Sequence, residues 1–154
     1  MHKIQLRPLT ESEYDIVLAW WGIPEVRAFT TLSLQPSFAS LVDGLSVTNR
    51  QDFMVWLNGR RIGRTCLIDH GTFEEVSVYI CELGLLKQGL GSLAIKETIG
   101  EATKPLRCRI KNDNIASISA FKKQGFLFDS DDADNVGYAW YFLSDTYEPS
   151  YKST

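Results

Sequence analysis

The sequence predicts a mixed α/β (α+β) domain, with a central β-sheet of about six to seven strands flanked by helices. Three observations predict it. Short runs between Ile4 and Leu143 alternate apolar and polar residues with the period of a strand. Stretches after Thr10, Gly89 and Asn114 carry helix period or helix start signals instead. Asn58-Gly59 separates two strand-like runs by the dipeptide that tight hairpins prefer.

Taken in order, Ile4 to Arg7 reads as a strand closed by Pro8, and Thr10-Glu11-Ser12-Glu13 is a capping box. The helix behind it places Tyr14, Val17, Leu18 and Trp21 on one apolar face and ends at Gly22 to Pro24. Glu25 to Phe29 adds a short helical turn. From 30 to 50 the pattern is weakest, with Phe38, Leu41 and Val42 suggesting one helical turn after Pro36. Gln51 to Leu57 is a strand with Phe53, Val55 and Leu57 on one side, and Arg61 to Ile68 returns beside it. After the Asp69-His70-Gly71 turn, Val76, Val78 and Ile80 face one way and Glu75, Ser77 and Tyr79 the other. Leu90 to Ala102 is a helix that buries Leu90, Ala94, Ile95, Ile99 and Ala102 and leaves Glu97, Glu101 and Lys104 to water; Pro105 stops it. Leu106, Cys108 and Ile110 alternate with Arg107, Arg109 and Lys111, a strand with one basic face. Asn114 to Gln124 is a further helix, stopped by Gly125. Phe126 to Asp129 and Gly137 to Leu143 are the final strands, joined by an acidic turn. No repeat or linker interrupts this series, which gives one domain over 1–147 and a loose tail over 148–154.

Composition narrows the function classes. Charged residues make up 23% and apolar residues 44% of the 154, with a net charge of −3, so a basic nucleic-acid surface is not expected. Cys66, Cys81 and Cys108 are odd in number and embedded in strand-like runs, which suits core thiols of a reducing compartment better than disulfides. With only His2 and His70 besides, no metal-ligand spacing exists. No signal-peptide pattern or membrane-length apolar run is visible, so the expected location is cytoplasmic, with no membrane partner.

The stretch Leu86-Lys87-Gln88-Gly89-Leu90-Gly91-Ser92 lies between a strand and a helix start. Glycines there let the backbone turn tightly, and the first helical N–H groups have no intrahelical acceptor. Such a turn grips a phosphate or pyrophosphate, or serves as a plain tight connection. It is not a P-loop, because Gly91-Ser92 has no intervening lysine, and not a dinucleotide fingerprint, because a third glycine is missing.

The element order β-α-(α)-β-β-β-GxG-α-β-α-β-β, together with Gln88-Gly89-Leu90-Gly91 and the pattern Asn114-x-x-Ser117-x-x-x-Phe121-x-x-x-Gly125-Phe126, resembles the GCN5-related N-acetyltransferases (the GNAT family) over residues 3 to 143. The resemblance implies a splayed sheet in which the pantetheine arm of acetyl-CoA lies between two diverging parallel strands, here Val76–Ile80 and Leu106–Ile110. It implies pyrophosphate contacts at Gln88, Gly89, Leu90 and Gly91 and, by position, at Lys87 and Ser92. Asn114 then lies near the pantetheine, although a helix N-cap also accounts for it; Ser117 and Phe121 are the other cofactor-side positions of that motif. Two departures stand out. Leu86 replaces the usual Arg or Gln, and Phe121 replaces a Tyr that protonates the departing thiolate, leaving that role to Tyr79, Tyr138 or water.

Acetyl transfer to an amine needs a proton acceptor, donors for the oxyanion, and alignment. Glu75, at the head of its strand, is either the base or a solvated strand end, and Glu74 points to the opposite face. The oxyanion donor is expected at the backbone N–H near Ile80. Trp20, Trp21, Phe29, Trp56 and Tyr79 either stack on a sugar ring or pack the core. The turn Asp129-Ser130-Asp131-Asp132-Ala133-Asp134 either draws in a cationic amine or is solvated. Lys122 and Lys123 either meet the cofactor's adenosine phosphate or face water. Leu18 to Arg27 is similar to the first-helix region of acetyltransferases acting on amino-sugar nucleotides and aminoglycosides. The expectation is an acetyl-CoA-dependent N-acetyltransferase for the primary amine of a small molecule, an amino sugar or aminoglycoside being preferred. Alternatives are acetylation of a protein α-amino group and a CoA-binding regulatory domain without turnover. The acceptor's identity and the oligomeric state stay open, a homodimer among the options.

Overall fold

The computed structural model describes residues 3–29, 49–85 and 88–144. From the N-terminus, β1 (Ile4–Pro8) passes through a 3-10 turn (Glu11–Glu13) into α1 (Tyr14–Trp21) and α2 (Pro24–Phe29). Three antiparallel strands follow: β2 (Arg50–Leu57), β3 (Arg60–Asp69) and β4 (Glu74–Ile80). Then come α3 (Leu90–Glu101), β5 (Leu106–Lys111), α4 (Ile115–Lys123), β6 (Phe126–Asp131) and β7 (Tyr138–Leu143). All seven strands form one mixed sheet in the order β1-β2-β3-β4-β5-β7-β6, in which only β4 and β5 are parallel. The expected α+β sheet is therefore the observed one.

Two layers cover the sheet. On one face Ile95, Ile99 and Ala102 of α3 and Phe121 of α4 pack on Phe53, Leu67, Val76, Leu106, Cys108 and Ile110. On the other, Tyr14, Val17 and Trp20 of α1 and Val26 of α2 pack on Met54 and Cys81, with Trp56 and Tyr79 beside them. The α3 side chains expected in the core are buried, joined by Thr98, whose hydroxyl donates to the Ala94 carbonyl at 2.7 Å. Each fully buried Leu or Ile there contributes about 1.5–3 kcal/mol.

Local signals explain most boundaries. The Glu13 carboxylate accepts from the Thr10 N–H at 3.0 Å, completing the capping box, and pairs with Arg61 at 2.6 Å. Asn58 and Gly59 both take positive φ, 50° and 84°, as a two-residue hairpin turn requires. Several expectations are corrected. The buried stripe of α1 is Tyr14, Val17 and Trp20 rather than one ending at Trp21, because the short helix rotates its third contact toward Met54 and Cys81. Lys104 is not simply solvated: its ammonium reaches Asp69 at 2.7 Å. Half of the acidic turn belongs to β6, and Asp129 and Asp132 answer the basic face of β5 through Arg107 and Arg109. The helical turn expected after Pro36 and the tail over 148–154 lie outside the described residues.

One irregularity decides the far end of β4. Val55 pairs with Gly63 but Trp56 with Arg61, so Ile62 is an extra residue on β3. Its carbonyl accepts from the Cys81 N–H at 2.7 Å and ends the strand. Beside it Gly63 runs so close to β4 that a Cβ would lie 2.0 Å from the Tyr79 carbonyl oxygen. Gly63→Ala should therefore destabilise the fold by about 3 kcal/mol, lowering Tm by about 10 °C, as urea and thermal melts will measure.

Candidate functional site

The site is built where β4 and β5 separate. They pair only at Glu74 with Leu106 and Glu75 with Arg107; from Val76 onward the β5-facing edge of β4 carries no ladder to β5. Glutamates hold this fork on both faces. Glu74, buried on the α3 side, accepts from the Thr103 N–H at 2.8 Å and the Lys104 N–H at 3.0 Å, tying the α3–β5 connection to β4. Glu75, 0% exposed on the opposite face, receives both arms of the Arg109 guanidinium at 2.9 Å. His70 Nε2 lies 3.0 Å from Oε1, the oxygen that Arg109 Nη2 also reaches. The pair thus occupies opposite faces as expected, but Glu75 is neither a solvated strand end nor an unengaged carboxylate.

Arg109 is held in turn by Trp140, which its guanidinium covers at 4.8 Å, and by Asp132 at 3.7 Å. Burial pushes the Asp132 carboxyl up, but Asn135, the Asp134 N–H and Arg109 bind its charged form and keep it below its ordinary range. The sequence shows β5 as a strand with one basic face and names no partner for it. The signal for Arg109 was its parity with Glu75 on a neighbouring strand, which depends on the β4–β5 register and so was not readable from either segment alone.

The loop after β4 leads to an exposed set of donors. Gly89 caps α3 with φ +76°, and open space surrounds the positions where Gly89 and Gly91 would carry a Cβ. The first helical bond runs from the Leu93 N–H to the Gly89 carbonyl, 3.2 Å. Among the described residues, nothing accepts from the N–H groups of Gly89, Leu90, Gly91 or Ser92. Gln124, at the end of α4, donates to the Ser92 hydroxyl at 2.7 Å and ties the two helices together. Gln88 leans back on the Gly84 carbonyl at 3.4 Å, and Lys87 lies outside the described residues.

The remaining candidates fall into distinct settings. Ile80 ends β4. Tyr79 donates its hydroxyl to the Glu25 carbonyl at 3.0 Å, and Tyr138 heads β7 opposite Lys111 at the end of β5. Asn114 is the N-cap of α4, its Oδ1 accepting from the Ser117 N–H at 3.1 Å. The Phe121 ring is buried edge-on against Phe126, 5.1 Å between centroids, inside the core. All three cysteines are buried and free; burial pushes Cys66 up to about 11, Cys81 to about 12 and Cys108 well above the ordinary thiol range.

Of the aromatic group, Trp20, Trp21 and Tyr79 line a cleft with Val17, Val26, Cys81 and Arg64 between α1, α2 and the end of β4. Trp56 is instead held between the Arg61 and Arg7 guanidiniums, at 4.3 and 4.6 Å. Nothing is described of the Phe29 side chain. Behind the cleft, Asp52 takes a two-armed contact from Arg50 (2.8 and 3.0 Å) and one from Arg64 at 2.7 Å. Sequence reading passed over Arg64 because the hairpin turn, counted without the extra residue at Ile62, places it opposite Phe53 on the other face of the sheet.

No family model matches the chain, and no curated protein matches it. Solved structures do. A domain from Methanocaldococcus jannaschii superposes with TM-score 0.77 at 23% identity, covering 93% of this chain and 99% of that one. The aminoglycoside acetyltransferase AAC(6')-Ib in complex with coenzyme A gives 0.78 at 15% identity, over 94% and 96%. Spermidine N-acetyltransferase from Vibrio cholerae with CoA and spermine gives 0.77 at 12%, over 91% and 94%. The chain therefore has the fold of these N-acetyltransferases.

Two measurements check this electrostatic frame. Glu75→Gln should cost about 3 kcal/mol in urea unfolding, because it leaves Arg109 without its buried partner. Asp132, whose folded form binds its proton less readily than the unfolded chain does, contributes stability above its ordinary value of 3.8 that is lost as pH falls below it. Asp132→Asn should accordingly be less stable than the wild type near neutrality and show a shallower decline through acid pH.

Proposed function

We propose that the protein is an acetyl-CoA-dependent N-acetyltransferase that acylates the primary amine of a small molecule by direct attack in a ternary complex. One observation carries the reading: among the described residues the amides at the start of α3 meet no acceptor, and they follow a strand that parts from its parallel neighbour after two residue pairs. The aminoglycoside and spermidine acetyltransferases of the same fold, solved with CoA, support acetyl-CoA as co-substrate. The diphosphate binds the backbone N–H groups of Gln88, Gly89, Leu90, Gly91 and Ser92, where the α3 dipole favours negative charge, and Lys87 adds its own. Asn114 and Ser117 face the pantetheine arm, for which the side-chain NH2 of Asn114 is available beyond its capping oxygen. Phe121 supports that wall from within the core.

The amine lone pair attacks the thioester carbon, and the carbonyl pair moves to an oxyanion met by the backbone N–H near Ile80. Collapse breaks the C–S bond, and the CoA thiolate takes a proton from Tyr79, Tyr138 or water. The ammonium proton leaves to water. A covalent acyl-enzyme is disfavoured because burial holds all three thiols protonated; these reduced thiols also favour a cytoplasmic location. Glu75 acts as a positioning residue: with Arg109 and His70 on its oxygens, it keeps the fork open at a fixed width. The narrow aromatic cleft beside Tyr79 favours a small acceptor, an amino sugar or aminoglycoside among the first to try, over a protein N-terminus. A CoA-binding domain without turnover is the second reading, supported by the engaged Glu75 carboxylate and by Phe121, which has no proton to give.

Acetyl-CoA at about a hundred times its Kd should raise Tm by about 5–10 °C. Gly89→Asp should abolish that shift by placing a carboxylate among the phosphate donors. Thiol release with a panel of amines then separates enzyme from binder: stabilisation without release for any amine favours the binder. In an active enzyme, Glu75→Gln should keep the acid limb of the pH–rate profile, whereas losing that limb would make Glu75 the base.

A further inference from the structure

Behind the aromatic cleft, two guanidiniums share a single carboxylate. Arg50 and Arg64 both contact Asp52, and their side chains are 5%, 4% and 0% exposed respectively for Arg50, Arg64 and Asp52. Arg50 satisfies Asp52 through two bonds and lies toward Glu75, whose charge favours its protonated form. Arg64 stands on the neighbouring strand β3, opposite Tyr79. Its one ion-pair contact uses Nη2, while its Nε–H is buried with no acceptor among the described residues. A buried donor on a charged group is costly to leave unmatched. Arg64 also lines the cleft between Trp20, Trp21 and Tyr79. Among the described residues, Glu75 and Asp132 are engaged with Arg109, and Glu13 with Arg61.

We infer that the acceptor carries, besides its amine, an anionic group of carboxylate type that docks on Arg64 at the narrow cleft lined by Trp20, Trp21 and Tyr79. This deepens the transferase reading and rests on it. The geometry is suitable. Arg64 lies on β3 directly across from Tyr79 of β4, and the edge of β4 that has parted from β5 is one strand spacing, about 5 Å, further on. A short amino acid bridges that span, its carboxylate anchored on Arg64 and its amine directed at the fork. An anion there completes the Nε–H and balances the surplus guanidinium. A simple polyamine or an uncharged amino sugar does neither.

The test compares matched amines with the full-length protein saturated with acetyl-CoA: phenylalanine against phenethylamine, methionine against 3-(methylthio)propylamine, and 4-aminobutyrate against butylamine. The acid-bearing member of at least one pair should have a kcat/KM about tenfold or more above its partner, the scale of one charge-assisted hydrogen bond. Benzoate should quench the cleft tryptophans and compete with the amine. In Arg64→Met, which leaves Arg50 and Asp52 as a balanced pair, the preference and the benzoate quench should both vanish while acetyl-CoA still raises Tm. Equal or lower kcat/KM for the acid in every pair, or benzoate quenching that survives Arg64→Met, overturns the inference. A wild-type protein that acetyl-CoA does not stabilise overturns the transferase reading instead. Should Arg64→Met not fold, the wild-type pairs decide alone.

Discussion

Two parallel strands that meet at only two residue pairs must be held by something other than a ladder of hydrogen bonds. Here the holding is done by adjacent carboxylates that point to opposite faces of the sheet. Glu74 gathers the main-chain N–H groups of the α3–β5 connection, so the start of β5 is fixed to β4 through backbone atoms. Glu75 takes both arms of Arg109, just past the last paired residue of β5. A carboxylate with no exposure is tolerable only with such complete matching, because desolvation costs several kcal/mol per ion. Further along, β5 leans on β7 over five residue pairs instead. The start of β5 is thus tied to β4 on both faces of the sheet, and the rest of β5 to β7.

The same economy of charge runs across the face covered by α1 and α2. Guanidiniums from β2, β3 and β5 are set against carboxylates from β2, β4 and the β6–β7 hairpin. Planar, weakly hydrated arginines suit such sites, since they pair through two arms and also lie on aromatic rings. Arg109 does so on Trp140, Arg107 on Phe73 at 5.3 Å, and Arg7 and Arg61 on Trp56. Charges cancel over the row but not locally. The end near the fork is matched, whereas at the end near the aromatic cleft the Arg64 Nε–H meets no acceptor among the described residues.

Much of this was legible from short-range pattern. The capping box, the Asn58-Gly59 turn, the buried face of α3 and the Asn114 cap each depend on residues a few positions apart, and each is found where its chemistry placed it. The open amides of the Gly89 turn belong to the same class, because a helix start and a positive-φ glycine are local events. Failures came where one residue's setting depends on a distant strand. The basic face of β5 and the acidic turn read as unrelated features of two segments, yet they satisfy one another through Arg107–Asp129 and Arg109–Asp132.

By itself, then, the sequence determined which of the described segments are helix and strand and that a donor-rich turn precedes α3, though not where β6 ends. Those outcomes follow from dihedral preferences and from periodicity within a single segment. Only the tertiary structure decided which way Arg64 points and what Glu75 does. One extra residue at Ile62 shifts the β2–β3 register, and because side chains alternate with a period of two, that shift carries Arg64 from the face of Phe53 to the face of Met54. The pairing of Glu75 with Arg109 likewise depends on how far β4 and β5 run together before they part. A residue's identity states what it can bind; only the assembled sheet settles what lies within its reach.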